Sequence, residues 1–181
     1  MITNQQIGRL IDDYINRGGA SNVLKRAWHG KYIRGHAPWN NEEDCYHNWL
    51  KIVDDNIASL ESIATFDELY KAVEKLKIKG IGDLTVYDTA TMIGCPRQVY
   101  PTKVYLHAGA AAGARALGID AKEVDKSVFV SLFPEFNKLN PLQIEDFLCI
   151  YKSHLSGDAD ESKLPNLCCM IPLEEVLKEG K

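Results

Sequence analysis

Residues 76–93 read LKIKGIGDLTVYDTATMI, a helical pattern, a glycine-bearing turn and a second helical pattern. Gly80 and Gly82 in the turn permit backbone conformations and close approaches that a Cβ atom would block. Ile81, between the two glycines, can point inward and hold the two helices together as a unit. The stretch therefore predicts a helix-hairpin-helix motif.

The same turn has the chemistry of an anion-binding site. Because glycines carry no side chain, backbone N–H groups of the turn and of the following helix start can face a phosphate. Lys77 and Lys79 add positive charge, whereas Asp83 at the helix start mildly opposes an anion. Contacts of this kind reach the nucleic-acid backbone and are largely blind to base sequence. The predicted contact region comprises Lys77, Lys79, Gly80, Ile81, Gly82 and Lys103, with Lys31 and Arg34 as additions.

Apolar residues at helical spacing run through most of the chain and indicate an all-α fold of seven or eight helices. Thr3 with Gln6 forms a capping-box pattern, and Thr65 and Asn140 mark later helix starts. No alternating run is long enough for a sheet. Helices are predicted over residues 4–17, 21–29, 41–60, 66–76, 83–93, 101–117 and 141–151, with a further helical turn around 127–133 and a short one around 173–178. The small-residue helix ending near residue 117 is expected to pack closely on its neighbours.

Length and composition suit one soluble globular domain. The chain has 181 residues, of which 45% are hydrophobic and 25% charged, which excludes a disordered chain and a membrane span. Five cysteines and an amino terminus without a signal-peptide layout predict a cytoplasmic protein. We expect a single all-α domain over residues 1–181, with N-terminal helices over 1–65, the hairpin and core helix over 66–118, and C-terminal helices over 119–181.

Charge is distributed in blocks along the chain. The net charge is −4, yet residues 1–36 carry six basic and two acidic side chains, and residues 71–115 carry seven and three. Two basic blocks can form the positive face that a nucleic-acid partner requires. The first hypothesis is a non-catalytic protein that binds a nucleic-acid backbone, duplex DNA in particular, without a cofactor or metal. The sequence does not determine the oligomeric state.

From the hairpin to Gly118 the chain resembles the helix-hairpin-helix DNA glycosylases related to endonuclease III. Those enzymes follow the hairpin with a Val-Asp-Thr-His-like segment and an Arg-Leu-Gly, here VYLH at residues 104–107 and RALG at residues 115–118. The resemblance implies that Tyr105 stands at the catalytic aspartate position and Leu84 at the lyase lysine position. Neither side chain can supply that chemistry. The resemblance therefore implies a DNA-repair scaffold without its catalytic groups.

Two alternatives stay open from the sequence. One is a divergent glycosylase-like enzyme that acts on a nucleobase through Asp88 or Asp83, with His107 beside Tyr105 as a weaker acid–base candidate. The other is a helical protein–protein adaptor in which the hairpin is only a corner. A zinc site is not expected, because the spacing of the nearest candidate ligands matches no metal signature. Those ligands are His29, His36, Cys45 and His47.

Overall fold

The structure is a computed structural model that describes residues 2–26, 43–159, 163–165 and 167. These residues are mostly helical, which confirms the prediction of an all-α fold. None of the helices described is long and apolar enough to cross a membrane. The described part contains nine α-helices: α1 (Asn4–Asn16), α2 (Gly19–Leu24), α3 (Glu43–Asp55), α4 (Ile57–Glu61), α5 (Phe66–Lys75), α6 (Asp83–Gly94), α7 (Ala108–Ala116), α8 (Lys126–Leu132) and α9 (Pro141–Ser156).

Two units make up the chain, and each has its own buried core. The described residues of the first unit fall within 1–24 and 101–169, and those of the second fall within 25–100. The expectation of one domain over the whole chain stays a prediction.

The first unit is built on α9, which packs against α1, α2 and α7. Thr3 and Gln6 form the predicted capping box at the start of α1, and Asn140 with Gln143 forms a second one at the start of α9. A cluster of aromatic rings fills the core, with T-shaped and stacked contacts between neighbouring rings. Its members are Tyr14, Phe136, Phe147 and Tyr151.

Close packing of α7 on α9 matches the expectation for the small-residue helix. A Cβ atom added to Gly113 would overlap the carbonyl oxygen of Leu148 on α9. The two backbones can approach this far only because position 113 carries no side chain.

The second unit centres on the pair formed by α5 and α6, with α4 beside both. The Thr65 hydroxyl accepts a hydrogen bond from the Glu68 amide and begins α5 as predicted. Helix α6 is buried from Val86 to Thr91 without interruption, so it is the central helix of this unit. Polar side chains on a helix of this kind need partners inside the protein.

Three predicted helices have different bounds in the structure. The helix expected to begin at residue 101 begins at Ala108, because the preceding residues form a strand, β1 (Val104–Tyr105), paired antiparallel with β2 (Glu123–Val124). The helix expected over residues 41–60 is interrupted at Asn56, whose side-chain amide donates to the Ile52 carbonyl, 2.8 Å away. Such local bonds compete with helix continuation. The helix predicted over 21–29 begins two residues earlier, at Gly19, and ends at Leu24, since Lys25 and Arg26 are not helical. Residues 27–29 and the helical turn predicted at 173–178 lie outside the described residues.

Candidate nucleic-acid interface

The turn between α5 and α6 has the backbone that its two glycines predict. Gly80 has a φ of +97°, in the left-handed region that favours glycine, whereas Gly82 is extended, with φ −87° and ψ 167°. Ile81 between them is buried, while both glycines are exposed. The Ile81 amide donates to the Ile78 carbonyl, 3.1 Å away, and closes the turn. The turn therefore has an apolar inner side and a glycine-lined outer side.

One side of the turn is packed and the other is open. The Cys45 thiol on α3 donates to the Lys79 carbonyl, 2.8 Å away, and its sulfur would lie 2.7 Å from a Cβ atom on Gly80. By contrast, no atom lies within 4 Å of a Cβ atom placed on Gly82. Among the described residues, none forms a hydrogen bond to the amide of Gly80 or of Gly82.

The charged side chains around the turn have unequal roles. Lys77 forms an ion pair with Asp83, with 2.5 Å between Nζ and Oδ1. In this pair the Lys77 ammonium balances the negative charge of Asp83, which was expected to oppose the binding of an anion. Lys79 is exposed and forms no ion pair within the described part of the chain. It is the lysine of the turn whose charge is left for an external anion.

The remaining predicted contact residues lie elsewhere. Lys103 belongs to the first unit, where its ammonium pairs with Glu123 across the β1–β2 ribbon at 2.7 Å. Lys31 and Arg34 lie outside the described residues. The structure thus groups Lys77 and Lys79 with the three central turn residues.

Two lysines on α5 were not singled out by the sequence analysis. Lys71 and Lys75 are one helical turn apart, are exposed, and line an open groove of about 380 Å³ that ends at Leu76, next to the turn. Glu68 also lines this groove, so its charge is mixed. Residues four positions apart lie on the same face of a helix. Because the apolar side of this helix was predicted, the sequence could have shown that Lys71 and Lys75 share its polar side.

Asp88, the candidate carboxylate of the enzyme hypothesis, lies in a buried polar cluster on α6. Its Oδ1 atom is 3.7 Å from the Arg26 guanidinium, which also donates to the Thr91 hydroxyl at 3.1 Å. Asp88 and Arg26 are each at most 9% exposed. A buried charge requires a partner. Arg26 is such a partner, so the burial of the Asp88 carboxylate can be explained without a bound ligand.

His107 and Tyr105 do lie together, as the sequence analysis considered. Their rings stack with centroids 6.3 Å apart in the first unit, whereas Asp88 belongs to the second. Tyr105 lies in strand β1, outside the helix in which the sequence analysis placed it.

The cysteine and histidine residues on α3 do not form a metal site with other described residues. In the part of the chain that the structure describes, no three His, Cys, Asp or Glu side chains gather closely enough to hold a metal ion. The other two histidines considered, His29 and His36, lie outside the described residues. Cys45 instead supports the turn by bonding to Lys79.

Comparison with known proteins identifies the family. The sequence model of one family, described as amino acid:DNA transferase, matches residues 21–160, more than three quarters of the chain. The chain belongs to the amino acid:DNA transferase family. The match includes α5, the turn and α6, and it supports a function related to DNA. No curated protein and no solved structure gives a significant match.

The family assignment leaves other hypotheses untested. The resemblance to helix-hairpin-helix DNA glycosylases and the helix-hairpin-helix assignment stay predictions. So do the glycosylase-like and adaptor alternatives, and so does the cytoplasmic location.

Proposed function

We propose that this protein joins an amino acid to DNA, and that the turn between α5 and α6 holds the DNA backbone for that reaction. The reaction is taken from the description of the family. Because the amino acid is taken up free, the new bond to DNA replaces the bond to a leaving group that the DNA carries, and the proton of the attacking group passes to water. The observation that carries the DNA contact is that Gly80 and Gly82 are exposed, that their amides form no hydrogen bond with a described residue, and that the exposed Lys79 stands next to them in the turn.

The charges of the turn favour a phosphate over a neutral ligand. Gly82 is the N-cap of α6, so the positive end of the helix dipole begins at the turn. The ion pair between Lys77 and Asp83 neutralises the acidic side chain at this helix end. Lys79 then supplies net positive charge beside amides that no described residue uses.

A larger contact surface would include α5. Lys71 and Lys75 continue the positive charge for one helical turn before the hairpin, which suits the repeated phosphates of a polymer. None of these groups is built to distinguish bases, so the expected binding tolerates changes in DNA sequence.

Fluorescence anisotropy with a duplex of mixed sequence tests the DNA contact. We expect Lys79→Ala and the double variant Lys75→Ala/Lys79→Ala to weaken binding progressively. Each lost phosphate contact should reduce the slope of log K against log salt concentration by about 0.9. The matched control is Lys122→Ala, which removes an exposed lysine of the first unit. Equal affinities and equal slopes for wild type and the double variant would contradict the proposed contact.

A separate assay tests the reaction. The purified protein is incubated with a radiolabelled amino acid mixture and DNA from its natural source, and label that survives denaturation and precipitation of the DNA is counted. Covalent label that requires the protein supports transfer. Binding of DNA without any label supports the hypothesis of a non-catalytic protein instead.

A further inference from the structure

A cavity of about 360 Å³ lies in the first unit, away from the turn in sequence. Its lining comes from α1, from the carboxyl end of α9 and from the segment around residue 164. Ile2, Leu10 and Leu164 give it an apolar wall, while Arg9 and Asp13 give it two opposite charges. Its size is that of a small-molecule site, for which an apolar lining with few polar groups is typical.

Hydrogen bonds hold the far wall of this cavity in place. His154 on α9 bonds through Nε2 to the Lys163 carbonyl at 2.9 Å. Arg17 on α1 donates to the Pro165 carbonyl at 2.8 Å. Leu164 lies between these two attachment points, so the backbone is held on both sides of it.

The carboxylate of Asp13 is fixed by two donors on the same oxygen. The Arg17 guanidinium donates to Oδ2 at 3.1 Å and the Tyr151 hydroxyl donates to it at 2.5 Å. Burial, followed by this bond, raises the pKa of Tyr151, so the phenol keeps the proton that it donates. The other oxygen, Oδ1, accepts no hydrogen bond from a described residue.

Unlike the carboxylate of Asp13, the guanidinium of Arg9 is not held by an ion pair with a described residue. It lies one helical turn before Asp13 on α1 and lines the same cavity. Asp13 pairs with Arg17, and the Arg9 guanidinium forms no ion pair with any residue that the structure describes. The cavity thus offers one cationic group and one anionic oxygen a helical turn apart.

The end of α9 adds a second negative element. Gly157, the C-cap of α9, lines the cavity, and the carbonyl end of a helix carries a partial negative charge that favours cations. The opposite charges and the apolar wall together match a small zwitterion with a partly apolar body.

We propose that this cavity binds a free amino acid, with its α-carboxylate on Arg9 and its ammonium between Asp13 Oδ1 and the carbonyl end of α9. The amino acid side chain lies against Ile2, Leu10 and Leu164, which favours apolar side chains. The inference rests on the proposed function, because it assigns a site to the amino acid substrate of that reaction.

Equilibrium dialysis of the full chain against each radiolabelled standard L-amino acid, with and without duplex DNA, tests this site. We expect one or a few amino acids with apolar side chains to bind. Arg9→Ala should weaken this binding by roughly tenfold or more, because a charge-assisted hydrogen bond is lost. Arg115→Ala, which removes an exposed arginine at the end of α7, should change it by less than about twofold.

Two further measurements test the site without relying on the Arg9 substitution: one changes the amino acid, and the other changes a second residue of the cavity. The methyl ester of the bound amino acid lacks the carboxylate and should not bind the wild type. Leu164→Arg places a long side chain in the cavity and should abolish binding; its site is 54% exposed, so the fold should tolerate the change. Circular dichroism spectra and melting temperatures equal to the wild type verify that both variants are folded.

Failure of this inference is distinguishable from failure of the proposed function. If no amino acid binds under either condition, or if binding ignores both Arg9→Ala and Leu164→Arg, the assignment of the cavity is overturned. Covalent labelling of DNA in that same preparation would leave the transferase proposal standing. If amino acid binding depends on Arg9 while DNA is neither bound nor labelled, the proposed function fails and the cavity assignment holds.

Discussion

At the residue scale, Gly80 and Gly82 are constrained in different ways although they flank the same isoleucine. Gly80→Ala places a Cβ atom at a positive φ and 2.7 Å from the Cys45 sulfur, so we expect it to lower the free energy of unfolding by about 1–3 kcal/mol. Gly82→Ala has an ordinary φ and open space around it, so it should cost less than about 1 kcal/mol. Urea denaturation of the two variants measures the difference. Equal losses would show that the turn is not held by Cys45.

The sequence predicts the burial of the apolar residue in the turn, but it does not predict how the charged side chains are paired. Ile81 lies between two glycines, and burial of the one apolar residue in a short turn follows from composition alone. The ion pair of Lys77 with Asp83 was not predicted, because it joins residues six positions apart and requires the actual path of the turn. Pairing of Lys103 with Glu123 likewise requires the register of β1 and β2.

At the scale of elements, the contact of α7 with α9 depends on a missing side chain. A Cβ atom on Gly113 would overlap the Leu148 carbonyl, and backbone on both helices would have to move. We therefore expect Gly113→Ala to destabilise the protein by about 2–4 kcal/mol, although alanine has the higher helix propensity. The control is Gly118→Ala, where φ is +83° and no atom lies within 4 Å; it carries backbone strain without a clash. Thermal melting of both variants separates the two effects, and a stabilised Gly113→Ala would contradict this packing.

The first residue of a helix could be predicted where the sequence has a capping pattern. Whether a helix then continues or is interrupted could not be predicted. Thr3, Thr65 and Asn140 begin helices as their local sequence indicates, because an N-cap hydrogen bond involves residues three positions apart. Asn56 interrupts a helical pattern by bonding to a carbonyl four residues earlier, an outcome that apolar periodicity does not reveal. The strand at Val104 depends on a partner twenty residues away, which local propensity cannot supply.

At the scale of the whole molecule, the class of fold follows from periodicity, but the division into two units does not. The first unit combines residues from the start of the chain with residues after position 100. Apolar spacing shows that each helix has a buried side and does not show which distant helix covers it. The cavity between α1 and α9 depends on the same long-range pairing, so no local sequence pattern indicates that Arg9 and Asp13 line it.

Two buried groups link the stability of the molecule to alkaline pH. Burial raises the pKa of Cys95 from 9.0 to about 11, and burial together with the bond to Asp13 raises the pKa of Tyr151 above its ordinary 10.0. In the unfolded chain these groups lose their protons at lower pH than in the folded chain. The contribution of Cys95 is therefore fully present below pH 9 and is lost as pH rises toward 11, whereas the contribution of Tyr151 begins to be lost only above pH 10.

The expected loss from Cys95 alone is about 2–3 kcal/mol, because each unit of pKa shift corresponds to about 1.4 kcal/mol. Urea unfolding at pH 8 and at pH 11 measures the total change in the free energy of unfolding. Cys95→Val cannot ionise and keeps an apolar side chain of similar size, so its decrease between the two pH values should be smaller than that of the wild type by this amount. An identical decrease in both proteins would mean that the thiol titrates alike in the folded and unfolded chains, and the burial of Cys95 in the second unit would then not be as tight as the structure has it.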